Sequence, residues 1–235
     1  MIKGIYLSSR KLELQSKNFE SVANNLANIN TSGYKKQMPF SEVLSKAGEV
    51  KIKQYSDFTQ GELVSTNNPY DLAISGEGYF VVNNGQGYEY TRNGRFSVTQ
   101  DGFLVDDKGN KVMGQQGEIN VFNIAANGAK DVQINKNGDV KVGDDVVDTL
   151  KIVKFEDEQD SVRISGSNFV SGDTNIVQLE PEAYQINQGY LESSNVNPVM
   201  EMESMIQLSN DYESAQKMMK YLDQSLGHAT EVGKV

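Results

Sequence analysis

Two long stretches with a seven-residue apolar repeat stand at opposite ends of this chain of 235 residues. The first repeat places an apolar or aromatic residue at every seventh position, at Ile5, Leu12, Phe19 and Leu26. The second alternates spacings of three and four residues, and its members include Met205, Leu208, Tyr212, Met219 and Leu222. Such spacing is typical of helices that pair along a narrow apolar seam. We therefore predict long N- and C-terminal helices that pair as a coiled-coil-like α domain.

The middle of the chain, residues 73–185, has no helical period and contains short β-type runs. Five dipeptides that favour tight turns lie in this region: Asn84-Gly85, Asn93-Gly94, Asp101-Gly102, Asn127-Gly128 and Asn137-Gly138. Asn-Gly and Asp-Gly favour hairpins because both residues tolerate positive φ. The sequence therefore predicts a central antiparallel all-β domain and an α+β chain overall.

These patterns divide the chain into four segments. We assign residues 1–40 to the N-terminal helix, 41–72 to an extended connector, 73–185 to the β domain, and 186–235 to a C-terminal motif and helix. Asn197-Pro198 supplies a helix cap followed by a first-turn proline, so the last helix should begin there. The first segment has six basic and two acidic residues, and the last segment has three basic and seven acidic residues. The two ends of the chain therefore attract each other.

Composition excludes several classes of function. The chain has no cysteine and one histidine, so we expect no disulfide, no thiolate or multi-histidine metal site and no bound cofactor. A net charge of −10 disfavours nucleic acid as a partner. We expect no membrane span and no cleaved secretory signal, because no apolar run is long enough for the first and the N-terminus lacks the pattern of the second.

No constellation of acid, base and nucleophile is visible in the sequence. Three Ser-x-x-Lys spacings occur, at Ser8, Ser32 and Ser214, but the partner motifs of serine-lysine acyl enzymes are absent. We therefore predict that the protein is not an enzyme. A catalytic pair of carboxylates from distant strands stays an alternative, since sequence does not reveal such pairs.

Both predicted helices have more apolar surface than one seam covers. Leu7 and Leu14 form a second line on the first helix, and Met202, Ile206 and Met218 lie off the seam of the last. Asn24, Asn25 and Asn28 place neutral amides away from the seam, where a solvated helix face more often has charges. These positions suit contact with another subunit. The alternative is that the apolar stripes pack on the chain's own core and that the asparagines end the helix, with Gly33 as a left-handed cap.

Four segments carry a resemblance to a known family. They are Ala23 to Lys35, Asp71 to Val82, Tyr90 to Gly114 with its Thr-Arg-Asn-Gly-Arg-Phe start, and Gly189 to Val199. In this order they resemble the bacterial flagellar rod and hook protein family. Within that family, the length and the Lys217-Met218-Met219-Lys220 stretch are most similar to proximal rod proteins, with distal rod proteins second.

The resemblance implies a structural subunit that leaves the cell unprocessed through the flagellar type III export apparatus. Family members assemble with identical subunits and other rod proteins into a helical tubular axle across the periplasm, with the terminal helices inside and the β domain outside. The residues expected at subunit contacts are Leu7, Leu14, Asn24, Asn25, Asn28, Asn30, Gly33, Tyr34, Asn195, Asn197, Met202, Ile206 and Met218. The competing hypothesis is a surface-binding β module whose terminal helices only dimerise it.

Overall fold

A computed structural model of the chain describes residues 2–39, 41–44, 50–121, 132–143, 145–158, 161–171 and 175–232, and within these ranges it describes all side chains except those of 2–8, 41–53, 222 and 226–232. The chain divides into two compact units. The helical unit comprises Met1–Ala27, Lys36–Asp57 and Val196–Val235, and the β-rich unit comprises Asn28–Lys35 and Phe58–Asn195.

The helical unit contains one helix from each end of the chain. Helix α1 spans Ile2–Ala27, helix α2 spans Pro198–Val232, and the two helices are in contact. Helix α2 begins where the sequence predicts, because the Asn197 side-chain oxygen accepts hydrogen bonds from the amides of Val199 and Met200. A short antiparallel hairpin of β1 (Ser41–Leu44) and β2 (Val50–Lys53) completes the unit. Within the described ranges, neither helix has the apolar stretch that a membrane crossing requires.

The β-rich unit is built from short strands. In chain order they are β3 (Leu63–Ser65), β4 (Leu72–Gly76), β5 (Tyr79–Asn83), β6 (Tyr88–Thr91), β7 (Ser97–Val98), β8 (Leu104–Val105), β9 (Lys111–Val112), β10 (Val132–Ile134), β11 (Asp139–Val142), β12 (Asp145–Thr149), β13 (Ile152–Phe155), β14 (Val162–Ser165), β15 (Asn168–Val170), β16 (Ile176–Gln178), β17 (Tyr184–Gln188) and β18 (Tyr190–Glu192). Each pairing between named strands is antiparallel in the part of the chain that is described.

The largest sheet has nine strands. Seven follow the order β14-β15-β6-β5-β9-β8-β7, while β13 pairs with both β5 and β16. A separate three-stranded sheet has the order β10-β11-β12. Two ladders join strands that are far apart in sequence, β4 with β17 and β3 with β18, so they connect the beginning of the unit to its end.

Strand β5 has core on both of its faces. Phe80 and Val82 belong to the larger apolar cluster, whereas Tyr79 and Val81 belong to a smaller, aromatic one. This follows from the two-residue period of a strand, which sends alternate side chains to opposite faces. In the smaller cluster the rings of Tyr79 and Phe155 lie 5.1 Å apart. The run of apolar and aromatic residues in β5 is thus the signature of a strand buried on both faces.

Three of the predicted turns connect paired or neighbouring strands. Gly85, Gly102 and Gly138 have φ of 82°, 82° and 89°, the left-handed backbone that these turns require. Asn127-Gly128 lies outside the described residues. Asn93-Gly94 does not form a hairpin, since the strands on either side, β6 and β7, do not pair with each other. A Cβ atom at Gly94 would stand 1.7 Å from the Leu72 carbonyl oxygen, so this glycine permits a close backbone approach instead.

The predicted coiled-coil pairing of the terminal helices is wrong. Of the residues assigned to the pairing seam, Ile5 and Leu222 have side chains outside those described, and no other one is buried. Phe19 and Tyr212 are 42% and 40% exposed. The other five seam residues are half-buried: Leu12, Leu26, Met205, Leu208 and Met219.

The buried residues of the two helices are instead mostly polar, beside Val22 and Ala215. Gln15, Ser21 and Asn25 of α1 and Glu201 of α2 are buried. A cavity of about 250 Å³ also lies between the helices near Phe19 and Tyr212. In a coiled coil this space would be filled, because each seam side chain of one helix packs between side chains of the other. The seven-residue repeat was therefore a correct indication of helix but not of the contact between the helices.

Buried tyrosines make the β-rich unit sensitive to alkaline pH. Burial is the main cause that raises the pKa of Tyr79, Tyr90 and Tyr184. In the unfolded chain a tyrosine titrates near pH ~10, so above that pH the unfolded chain has lost protons that the folded chain retains. We expect the free energy of unfolding to fall as pH rises above about 10, with about 1.4 kcal/mol per pH unit from Tyr79, whose pKa is raised far above that of a free tyrosine.

The Tyr79→Phe variant tests this expectation. Urea unfolding followed by circular dichroism should give a dependence on pH that is shallower than in the unmodified protein by about 1.4 kcal/mol per pH unit. The measurement should be made above pH ~10.5. Burial lowers the pKa of Lys35, so below that pH the folded chain loses the lysine proton before the unfolded chain does. This makes the free energy of unfolding rise with pH, opposite to the effect of the tyrosines. Equal slopes for the variant and the unmodified protein would contradict the assignment.

Candidate assembly surface

The end of α1 is fixed to the chain by one buried amide. The Asn25 Nδ2 atom donates to the Gln37 carbonyl at 2.8 Å and to Glu201 Oε2 at 3.0 Å, while its Oδ1 accepts from the Gln37 amide at 2.7 Å. Asn25 therefore makes the same pair of hydrogen bonds to Gln37 that a neighbouring strand would make. All of these groups belong to the helical unit, and they connect α1, the segment after it and the first turn of α2.

Glu201 is the second member of this polar anchor, which consists of Asn25, Lys36, Gln37 and Glu201. Its other oxygen, Oε1, lies 2.6 Å from Lys36 Nζ, and its side chain is buried. A carboxylate in the first turn of a helix is also favoured by the helix dipole. Sequence reasoning missed Glu201 and Lys36. The position of Glu201 predicts a favourable helix start, but nothing in the local pattern indicates a partner 176 residues away.

The opposite face of α2 is apolar and exposed. Val199, Met202 and Ile206, which we call the outer stripe, lie one helical turn apart and are at least half exposed, with Val199 at 72% and Ile206 at 64%. Met218 and Tyr221 extend the exposed apolar surface toward the end of the helix. Residues that face α1, such as Glu201 and Ala215, are buried. Exposed apolar side chains that follow one another along a helix, as in the outer stripe, are typical of interaction surfaces.

A groove between α1 and α2 contains an unsatisfied acceptor. Its cavity of about 250 Å³ is lined by Gln15, Ser16, Phe19, Leu208, Ser209 and Tyr212. Gln15 is buried, and its Oε1 atom has no hydrogen-bond partner among the described residues. A buried acceptor without a partner costs about 1–3 kcal/mol. A side chain that filled the groove and donated to this oxygen would recover that free energy.

The remaining residues predicted for subunit contact occupy varied positions. Leu14 and Asn28 are half-buried, Asn24, Asn30 and Asn197 are exposed, and the side chain of Leu7 is outside those described. Asn28 accepts hydrogen bonds from the amide and hydroxyl of Thr31, so it closes the turn after α1. The contacts of Asn25 described above lie within its own chain. Its role at a subunit contact, like that of the other residues of the set, stays a prediction.

Gly33, Tyr34 and Asn195 lie at a buried cluster of charges in the β-rich unit. We call this cluster the Glu192 junction, and it consists of Gly33–Lys35, Thr59–Gly61, Arg92 and 192–195. Lys35 and Glu192 are 0% and 1% exposed, with Lys35 Nζ 2.6 Å from Glu192 Oε1. Arg92 lies 3.3 Å from Oε2 of the same carboxylate. Burial lowers the pKa of Lys35, although the neighbouring Glu192 acts in the opposite direction.

The polar anchor gives a direct test in the helical unit. In the Asn25→Asp variant a carboxylate replaces the amide that donates to Glu201, so two carboxylates lie side by side in a buried site. We expect the free energy of unfolding to fall by about 3 kcal/mol, in the range typical of an uncompensated buried charge. Unfolding followed by circular dichroism at 222 nm reports the change, because the helices dominate that signal.

Asn24→Asp is the matched control, since Asn24 is the neighbouring asparagine on the same helix and is exposed. It adds the same charge and should change stability by less than about 0.5 kcal/mol. Lowering the pH should restore part of the stability that Asn25→Asp loses, because protonation of one carboxylate removes the repulsion between the new aspartate and Glu201. Equal stability of the two variants would contradict the proposed role of Asn25.

Comparison with known proteins gives matches along most of the chain. Three family models match: "Flagella basal body rod protein" over residues 5–35, "Flagellar hook protein FlgE/F/G D1 domain" over 73–142, and "Flagellar basal body rod FlgEFG protein C-terminal" over 187–232. The flagellar basal-body rod protein FlgF of Caulobacter vibrioides is 34% identical over 223 residues, which cover 90% of this chain and 89% of that protein.

Two further relatives have lower identity and similar coverage. FlgF of Mesorhizobium japonicum is 27% identical, over 94% of this chain and 93% of its own. The rod protein FlgG of Agrobacterium fabrum is 28% identical, over 95% of this chain and 96% of that protein. The resemblance to rod and hook proteins is confirmed, and of these three relatives the Caulobacter FlgF has the highest identity. The chain therefore belongs to the family of flagellar basal-body rod proteins, which is a family of structural proteins and not of enzymes.

Proposed function

We propose that this chain is a subunit of the flagellar rod that polymerises helically through its two terminal helices. In this proposal the helices of many subunits form the wall of the export channel, and the assembled rod transmits torque. The partners are identical subunits and other rod proteins. The observation that carries the proposal is the outer stripe of α2, whose three apolar side chains are exposed although the same helix has a buried face of its own.

The proposal assigns the outer stripe of one copy to the groove of the next. Stripe and groove are two different surfaces of the same helical unit, so a contact between them is heterologous, the type of contact that builds an open helical filament when its rotation does not close a ring. The groove offers apolar walls in Phe19 and Leu208. Gln15 also lines the groove, and its buried oxygen, which has no partner among the described residues, favours a neighbour that brings a hydrogen-bond donor.

The charges of the two ends favour the same arrangement. Residues 1–40 have a net charge of +4 and residues 186–235 a net charge of −4. Attraction between the α1 segment of one copy and the α2 segment of another steers association, although each exposed pair contributes little affinity. The adaptable side chains of Met202 and Met218 suit a surface that meets related but non-identical rod proteins.

The route to the rod is also part of the proposal. We infer export of the unprocessed chain through the flagellar type III apparatus, and a final location in the basal-body rod across the periplasm. Relatives named basal-body rod proteins support this location. Export in an unfolded or partly folded form agrees with the absence of cysteine, since no disulfide has to be formed before or after passage.

An isoleucine pair in the two units tests the assembly surface. Ile206 of the outer stripe and Ile164 of β14 are 64% and 53% exposed, so a glutamate at either position should leave the folded chain intact. In a strain that lacks the unmodified protein, Ile206→Glu should be exported but not incorporated into basal bodies, and swimming in soft agar should be lost. An unpaired carboxylate buried at each repeated contact costs about 3 kcal/mol, which weakens that contact roughly 100-fold.

Ile164→Glu should incorporate and swim at the level of the unmodified protein. Circular dichroism of both purified variants checks that each is folded. Incorporation of Ile206→Glu at the unmodified level would contradict the assignment of the outer stripe. A stable dimer of the purified chain that both variants preserve would favour the surface-binding β module instead.

A further inference from the structure

All residues of the Glu192 junction belong to the β-rich unit, and they are close in sequence to points where the chain enters or leaves that unit. The chain leaves or enters the β-rich unit after residues 35, 57 and 195, and once more after residue 27. The segments Gly33–Lys35, Thr59–Gly61 and 192–195 each lie within four residues of one of the first three passages. These segments are distant in sequence, since Lys35 and Glu192 are 157 residues apart.

The side chain of Glu192, in the third segment, contacts the other two. Glu192 Oε1 accepts hydrogen bonds from Lys35 Nζ at 2.6 Å and from the Gly61 amide at 3.0 Å. The Glu192 carbonyl accepts from the Gly33 amide at 2.7 Å. Lys35 Nζ also donates to the Thr59 carbonyl at 2.8 Å. The carboxylate and the ammonium group therefore hold the first segment, the second and the third in one hydrogen-bonded group.

Further contacts connect this group to the sheet. Arg92, the residue after β6, donates to Glu192 Oε2 and, at 2.8 Å, to the Gly76 carbonyl at the end of β4. Arg163 of β14 donates to the Lys35 carbonyl, and its guanidinium carbon lies 4.6 Å from the centroid of the Tyr34 ring. Both arginines belong to strands or strand ends of the main sheet, so the junction is anchored in the core of the β-rich unit.

The backbone approaches too closely at the junction for any residue larger than glycine. A Cβ atom at Gly61 would stand 2.0 Å from the Ser193 carbonyl oxygen, and one at Gly33 would stand 2.3 Å from the Arg92 carbonyl carbon. Gly33 also has φ of 67°, which favours glycine. The two glycines allow the main chains of three segments to meet around one carboxylate.

We propose that the Glu192 junction is a mechanical clamp that makes the three chain passages open and close as one unit. A force applied at one passage is then distributed over the other two and over the sheet, so that no single segment detaches before the others. The physical reason is that removing one partner leaves buried charges uncompensated, which makes partial opening costly. The clamp does not depend on the proposed function, although torque transmission in a rod would give it a purpose.

Native-state hydrogen exchange of the full unmodified chain tests the proposal without any substitution. Amides of the three segments should open with one common free energy and one common dependence on low urea concentrations, as a single cooperative unit. Three different opening free energies, or three different urea dependences, would overturn it. Peptides that cover each segment separately are resolved by mass spectrometry.

Glu192→Gln gives the second test, because it keeps the shape of the side chain and removes its charge. Exchange should become at least tenfold faster in all three segments, while β5 and β6 keep their protection. Glu77→Gln is the matched control, since Glu77 forms an exposed ion pair with Lys154 and should alter none of the segments. Faster exchange in only one segment, or an equal increase in β5 and β6, would overturn the clamp. If Glu192→Gln does not fold, the urea dependence of hydrogen exchange in the unmodified chain alone decides whether the three segments open together.

Discussion

The carboxylate of Glu192 joins chain segments from the beginning and the end of the β-rich unit, in addition to the ladders of β3 with β18 and β4 with β17. Buried charges are costly unless each is paired and hydrogen-bonded, and here Lys35, Arg92 and the Gly61 amide meet that requirement. Satisfying one carboxylate in this way demands three chain segments in fixed positions and glycines where they approach. Gly33 and Gly61 stand where these segments approach, because a Cβ atom at either position would collide with the backbone of Arg92 or Ser193.

The helical unit uses the same physical principle with a different result. Asn25, Lys36 and Glu201 satisfy one another in the contact between α1 and α2, so polar groups are buried on these helices beside the apolar Val22 and Ala215. The apolar side chains of the outer stripe are left on the outside. An exposed apolar stripe on a helix that also has a buried face is the arrangement expected of a subunit that binds a neighbour through that stripe.

Local chemistry made part of the fold predictable. The start of α2 follows from Asn197 and Pro198, and three hairpins or turns follow from Gly85, Gly102 and Gly138, because each depends on neighbouring residues alone. The terminal helices contact each other as predicted, but the coiled-coil form of that contact was predicted wrongly, since an apolar repeat indicates a helix without fixing which of its side chains are buried. Glu192 and Lys35 could not be predicted as a pair, because no periodic pattern connects residues 157 positions apart.

Disulfide formation between separate copies tests the assembly contact most directly, since the chain has no cysteine of its own. Phe19→Cys and Ile206→Cys chains are expressed together, and their basal bodies are isolated under mild oxidation. The account predicts disulfide-linked dimers when both variants are present and none when either is present alone, because the outer stripe of one copy meets the groove of the next. Dimers from Ile206→Cys alone would indicate a symmetric contact and would contradict the account, as would the absence of dimers in the mixture.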